Sequence, residues 1–395
     1  MAGLPFVLRR PWLLARDLVV DRRDPDLDAL RRLGDPEAFL WAILPHAART
    51  FSACIAMLPA DSAKASAVGY LYCRMLDTYE DLVVEPAERD AALLAFAERF
   101  DGLGASAGVA PRPDRALLRG AGPLPPAPPL TARTVDARDR AHVLLVERCA
   151  LVDRVFVTLE EPVQGIIADL VHDMAHGMIW ASGAFASQGG LLTSDEQLLR
   201  YCREVLGNPV VYVARLGQLR RTGRADLTPE DRERAMRSGE FIQLANVTRD
   251  IEKDLLRGVA YHPSLRGDLS PDGEPVPGDE AARAERVRAA RAHFLRLALE
   301  RSPDYANFVQ SFGGLMRASA LLMLLFTHRH YRGTAARVGL SPWGQRTSSA
   351  GLLARTLPAM ASAGWSRRHA DRCVADMTAA ADTLRARDGL SAAAT

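Results

Sequence analysis

From residue 36 to residue 387, apolar side chains recur at intervals of three and four, the period of an α-helix. No convincing series of alternating apolar and polar residues, as a half-buried strand requires, appears in the chain. Helical stripes must be buried against one another, so the expected fold class is all-α. Helices are predicted near 36–58, 62–82, 87–101, 138–158, 160–185, 194–222, 229–254, 279–300, 304–331 and 366–387. Two stretches carry too many prolines and glycines for regular structure: 102–136, with "APRPDRALLRGAGPLPPAPPL", and 263–278, "PSLRGDLSPDGEPVPG". The first is expected to be a mobile loop, dispensable for chemistry. Neither reads as a domain boundary, because chemically interesting residues lie on both sides of the first.

With 48% apolar residues among 395, the chain can build a substantial core as one large domain or two. The formal net charge of +2 is near balance and suggests no nucleic-acid partner. Cysteines 54, 73, 149, 202 and 373 show no paired spacing and several sit in apolar runs. Reduced, buried thiols in a cytoplasmic protein are therefore expected. The N-terminal "MAGLPFVLRRPWLLARDLVVDRRD" lacks a continuous signal-peptide core and a small-residue cleavage site. The longest apolar runs, such as "ASALLMLLF" (318–326), fall short of the roughly 20 residues that span a bilayer.

The stretch "RMLDTYEDLV" (74–83) closes an apolar helical segment with three carboxylates, Asp77, Glu80 and Asp81. On a helix they share one face and repel one another unless a cation sits between them. A second cluster, "QLANVTRDIEKDLLRG" (243–258), sets Asp250 and Asp254 four apart, with Asn246 a turn earlier. Mg²⁺ takes oxygen ligands and binds through a few carboxylates plus phosphate oxygens. Two such helices suit a diphosphate, with Arg74, Arg249 and Arg257 as donors to its oxygens. The bland alternative is a pair of solvated helix faces.

Five motifs in order resemble the squalene and phytoene synthases, the head-to-head branch of the isoprenoid synthases: "ARTFSACIAMLP" (48–59), "YLYCRMLDTYED" (70–81), "IIADLVHDMAHGM" (166–178), "TSDEQLLRYCREVLG" (193–207) and "QLANVTRDIEKDLLRGVAYHP" (243–263). The third and fourth are closer to squalene synthases. This resemblance, clearest over 45–265, implies a single isoprenoid-synthase domain spanning 1–395 around a central cavity. It implies Mg²⁺ held by Asp77, Glu80, Asp81, Asn246, Asp250 and Asp254. Diphosphate contacts would come from Arg49, Thr50, Arg74, Gln243, Asn246, Arg249 and Arg257. Tyr201 matches a tyrosine near the proton-transfer step, and Phe51, Tyr70, Val205 and Gly207 match pocket positions. The implied reaction joins two farnesyl diphosphates through presqualene diphosphate to squalene with NADPH, the other products being dehydrosqualene, phytoene or presqualene diphosphate itself. No Gly-rich dinucleotide fingerprint occurs, and squalene synthases bind NADPH without one. A monomer with peripheral membrane contact for product release is expected. The chain departs from the family pattern at Leu82, Lys253, Val210 and Val259, and Pro209 is expected to kink its helix.

Two competing readings remain. His172 and His176 in "HDMAH" have the i, i+4 spacing of a zinc-hydrolase helix, but the intervening acid is aspartate and no third ligand suggests itself. A non-catalytic relative, acting in assembly or lipid binding, is expected to lose the aspartates that this chain keeps.

Overall fold

A computed structural model describes residues 5–21, 24–103, 124–129, 137–270, 273–274, 276, 279–340 and 347–393. Most of the predicted 102–136 loop therefore lies outside the described residues. In chain order the elements are α1 (Phe6–Val19), α2 (Leu27–Arg32), α3 (Pro36–Ala48), α4 (Thr50–Met57), α5 (Ala60–Leu82), α6 (Pro86–Glu98), α7 (Ala137–Glu147), α8 (Cys149–Phe156) and α9 (Glu161–Ser187). They continue with α10 (Asp195–Cys202), a π turn (Arg203–Gly207), α11 (Asn208–Thr222), α12 (Pro229–Leu255), a 3-10 turn (Pro263–Asp268), α13 (Glu280–Leu299) and α14 (Ser302–Gln310). The last are α15 (Gly314–Arg337), α16 (Ser349–Thr356), a second 3-10 turn (Leu357–Met360) and α17 (Ala363–Ala393). Among the described residues no strand forms, and Leu191 and Ala260 make an isolated parallel bridge. The fold is all-α, as the periodicity requires.

The helices group into two compact units. The first comprises Met1–Ile179 and Tyr212–Leu227, the second Trp180–Val211 and Thr228–Thr395. In the first unit, Asp35 caps α3 by accepting from the Ala38 amide at 2.7 Å, with Pro36 pre-set for the first turn. The core holds an aromatic cluster, in which the rings of Phe96, Phe100 and Phe156 stand 5.0–6.0 Å from Tyr72 in edge-on arrangements. Tyr72 keeps its hydroxyl satisfied by donating to Asp153 at 2.8 Å, which in turn pairs with the buried Arg99. All five cysteines are free and buried, as expected.

In the second unit, Thr228 caps α12 by accepting from the Asp231 amide at 3.1 Å, and Pro229 occupies its first turn. Glu240 is 1% exposed between two guanidiniums, Arg203 and Arg301. Beside it, Gly207 and Gly239 let the π turn and α12 approach backbone to backbone.

Several boundaries differ from the sequence reading. The predicted helix 36–58 divides at Arg49, whose φ of 50° takes it out of the helical region. The predicted helix 194–222 is interrupted by the π turn directly before Pro209. Proline has no amide to donate to the carbonyl of Val205, and a widened turn accommodates its ring. The helices at 138–158 and 304–331 are each split in two, at Arg148 and at 311–313. The stretch 263–278, expected to lack regular structure, opens with a 3-10 turn that His262 caps by accepting from the Ser264 amide at 3.2 Å.

Helix α1 has a short apolar side, with Leu13 and Leu14 buried, and arginines and Pro11 punctuate it. Arg10 holds it by donating to the Ala56 and Leu58 carbonyls at 3.1 and 2.8 Å, and Arg16 donates to the Trp41 carbonyl at 2.6 Å. No helix is long and apolar enough to cross a membrane among the described residues.

Candidate active site

In the first unit, helix α5 is buried along most of its length and opens on one stripe, Tyr70, Arg74, Asp77 and Asp81. These positions follow the four-three-four spacing that keeps residues on one helical face. Arg74 pairs with Asp77 at 3.0 Å and donates to the Tyr70 hydroxyl at 3.0 Å. Phe51 of α4 packs on the Tyr70 ring at 5.6 Å. Burial pushes the Asp77 carboxyl up to about 6, Arg74 opposing and Asp81 adding to the rise. Glu80 is pushed well above its usual range by burial and then by Asp77 and Asp81, with Arg89 opposing. Crowded oxygen donors with elevated affinity for protons are a donor set that a hard divalent cation fits.

Arg49 and Thr50 sit at the junction of α3 and α4. Arg49 is the residue other than glycine with positive φ among the described residues, a strained conformation for a side chain of its size. Ser52 Oγ lies 2.6 Å from the Arg49 carbonyl and also against the buried Asp17 carboxylate of α1, so α1 helps to hold that junction.

In the second unit, α12 presents Gln243, Asn246, Asp250 and Asp254 at the same helical spacing. Asn246 donates to the Gln243 side chain at 3.0 Å. Arg249 grips both oxygens of Asp250, Nε to Oδ1 at 2.8 Å and the terminal nitrogen to Oδ2 at 2.6 Å. Lys253 and Arg257 are exposed. Glu252 turns to Arg291 of α13, which also donates to the Thr248 carbonyl at 3.1 Å. Glu252 is thus engaged by α13.

Tyr201 is 9% exposed and packs against the tilted Tyr261 ring at 5.3 Å and edge-on against Phe185 at 6.0 Å. Val205 belongs to the π turn, and Gly207 lies under Met236 and Gly239. His172 and His176 stack 6.4 Å apart along α9, with His172 Nε2 3.4 Å from Asp101.

Two groupings were not legible in the sequence. His330 of α15 lies beside Arg249 and Asp250. Burial pushes its imidazole down to about 4, Arg249 acting in the same direction and Asp250 against it. Asp195, His262 and His293 also converge, with His293 Nε2 2.6 Å from Asp195 Oδ1. The Arg296 guanidinium donates to His293 Nδ1 at 2.7 Å, so Nε2 carries the proton and donates a hydrogen bond to Asp195. Asp195, His293 and Arg296 thus form a hydrogen-bonded chain, while the His262 ring lies 4.4 Å from that of His293 with its Nδ1 on Ser264.

The sequence profile described as squalene/phytoene synthase matches residues 44–343, most of the chain. The chain belongs to the squalene/phytoene synthase family. Similar curated proteins include the lycopaoctaene synthase of Botryococcus braunii, 27% identical over 56% of this chain and 43% of that protein. The Homo sapiens squalene synthase is 26% identical over 56% of this chain and 45% of that protein. The Botryococcus squalene synthase is 30% identical over 58% of this chain and 42% of that protein. The chain thus spans less than half the length of these relatives. A solved complex of TcSQS with the ligand E5700 has the same fold, with a TM-score of 0.55 at 17% identity, covering 88% of this chain and 99% of that one. The family acts on prenyl diphosphates.

Proposed function

We propose that this enzyme joins two farnesyl diphosphates head to head through presqualene diphosphate and reduces that intermediate to squalene with NADPH. The observation that carries the reading is that each unit offers a carboxylate stripe with an arginine already paired to it, Arg74 with Asp77 and Arg249 with Asp250. A diphosphate needs both kinds of group, cations for its oxygens and carboxylates for its counter-ions.

In this reading Asp77, Glu80, Asp81, Asn246, Asp250 and Asp254 hold Mg²⁺, which when bound supplies Lewis acidity to the leaving diphosphate. Arg49, Thr50, Arg74, Gln243, Arg249 and Arg257 orient the diphosphate oxygens. Phe51 and Tyr70 give the adjoining apolar wall. Tyr201 takes part in proton transfer as the cyclopropyl ring closes, its ring held by Tyr261 and Phe185. The squalene assignment draws on the squalene synthases among the relatives. The two retained aspartate pairs speak against a non-catalytic role in assembly or lipid binding.

The test is to incubate purified protein with Mg²⁺ and farnesyl or geranylgeranyl diphosphate, with and without NADPH, and to weigh the hydrocarbon by mass spectrometry. A C30 product that requires NADPH supports the proposal. A C40 product, or a C30 product indifferent to NADPH, replaces squalene by phytoene or dehydrosqualene. Asp77→Asn or Asp250→Asn should abolish turnover with helical content retained, and full activity in excess chelator contradicts the Mg²⁺ reading.

A further inference from the structure

Within the second unit, α15, α16 and α17 line an open cavity of about 220 Å³. Four guanidiniums line it, Arg329, Arg332, Arg355 and Arg372, together with His328, His369 and a single carboxylate, Asp376. With neutral histidine the lining carries four positive charges against one negative, a net +3. Asp376 is already engaged by His328 at 3.2 Å. Arg329 donates to Ser349 at 3.0 Å and rests over the Phe326 ring at 5.1 Å, so its fork is held in place without a carboxylate. Among the described residues no carboxylate lies within ion-pair distance of Arg355 or Arg372, which are exposed at the rim.

Ordinary surface arginines diverge into water, where like charges avoid one another. Here four converge on one concavity from three separate helices, an arrangement that a bound anion relieves. The planar guanidinium fork matches phosphate oxygens two at a time, and a net +3 exceeds what one carboxylate ligand can answer. The volume is several times the about 30 Å³ of a water, enough for more than a bare ion. None of the acidic-cluster residues lines this cavity. Two of its three helices lie beyond residues 44–343, the span that matches the family.

We infer that this cavity is a second anion site, which takes a diphosphate group independently of divalent cation. That group is either free inorganic diphosphate or the head of a prenyl diphosphate.

The test is calorimetric titration of the full chain with inorganic diphosphate in excess chelator, which takes divalent cation away from the aspartates. A parallel titration with geranyl diphosphate distinguishes the two sources. Saturable binding is expected for the wild type and for the Asp77→Asn, Asp250→Asn double variant. At least tenfold weaker binding is expected for Arg355→Gln, Arg372→Gln, whose exposed side chains can change without disturbing the core. Arg329→Lys, which keeps the charge and loses the fork, should weaken binding while far-UV circular dichroism stays unchanged. Tighter binding of the prenyl form assigns the site to substrate, and equal binding assigns it to free diphosphate. No saturable binding by the wild type, undiminished binding by the rim variant, or loss of binding in the aspartate variant would each overturn the inference.

Discussion

Gly239→Ala tests the closest backbone approach in the second unit. A Cβ added at Gly239 would stand 2.4 Å from Gly207 Cα, and 2.6 Å from Gly207 N and the Leu206 carbonyl oxygen. Ordinary contact begins at 3.4 Å, so the shortfall is 3.4 − 2.4 = 1.0 Å. All three are backbone atoms, and no side chain can swing aside. α12 and the π turn must part, a strain of about 1–3 kcal/mol for overpacking. The same change gains about 1 kcal/mol of helix propensity, because alanine loses less backbone freedom than glycine. Gly333→Ala in α15 isolates that gain, since nothing lies within 4 Å of its added Cβ. Urea unfolding followed by circular dichroism should place Gly239→Ala about 1–3 kcal/mol below Gly333→Ala at unchanged m-value. Gly207→Ala should fall between them, because its added Cβ meets the flexible end of Met236 at 2.7 Å. Finding Gly239→Ala as stable as Gly333→Ala would refute the packing analysis.

Glu240→Gln should destabilise by about 3–5 kcal/mol, because it takes from the 8%-exposed Arg301 its buried counter-charge and leaves only the half-exposed Glu300 at 3.9 Å. Asp226→Asn, in a pair exposed by 79% and 81%, should change stability by less than about 1 kcal/mol, and comparable losses for the two would sink this prediction. The pH dependence should show His330. Its folded pKa of about 4 lies below the unfolded value of 6.5, so the unfolded chain takes up the proton first as pH falls. The stability it contributes is complete above pH 6.5 and declines toward pH 4, and His330→Gln should flatten that limb of the stability curve. An acid limb identical to wild type would exclude His330 as its source.

The sequence declared the fold class and the two aspartate helices because both rest on periodicity, which a local pattern records. α5 ends within a residue of its predicted limit at Leu82, and α12 runs one residue past its predicted end at Asp254. Features set by long-range contact were silent. Arg49 breaks a helix at a residue with no turn signature, and the junction is held by Ser52 against Asp17, 35 residues earlier in the chain. α1 lies outside the predicted helices because arginines and Pro11 punctuate its short apolar side, and the contacts of Arg10 and Arg16 with distant carbonyls help to fix it. His330 lies 80 residues from Asp250, and no spacing rule connects them. Glu252 is drawn to Arg291, 39 residues on, and no spacing rule connects those two either.

The pairing of Arg74 with Asp77 makes a final prediction about how cation and proton compete. Burial and Asp81 raise the Asp77 carboxyl to about 6, and Arg74 is the group that restrains that rise. In Arg74→Gln the restraint is gone, so Asp77 moves above 6 and is partly protonated near neutrality. A metal and a proton require the same oxygen lone pairs, so the Mg²⁺ concentration for half-maximal turnover should increase in the variant. The sign follows from the direction of the shift: the increase should be large at pH 6.5 and shrink by pH 8.5, where both proteins carry the carboxylate. Loss of a diphosphate contact alone weakens substrate binding equally at both pH values. Measuring Mg²⁺ dependence of farnesyl diphosphate consumption at the two pH values separates the roles, and a pH-independent effect of Arg74→Gln would show that Arg74 serves the diphosphate without tuning Asp77.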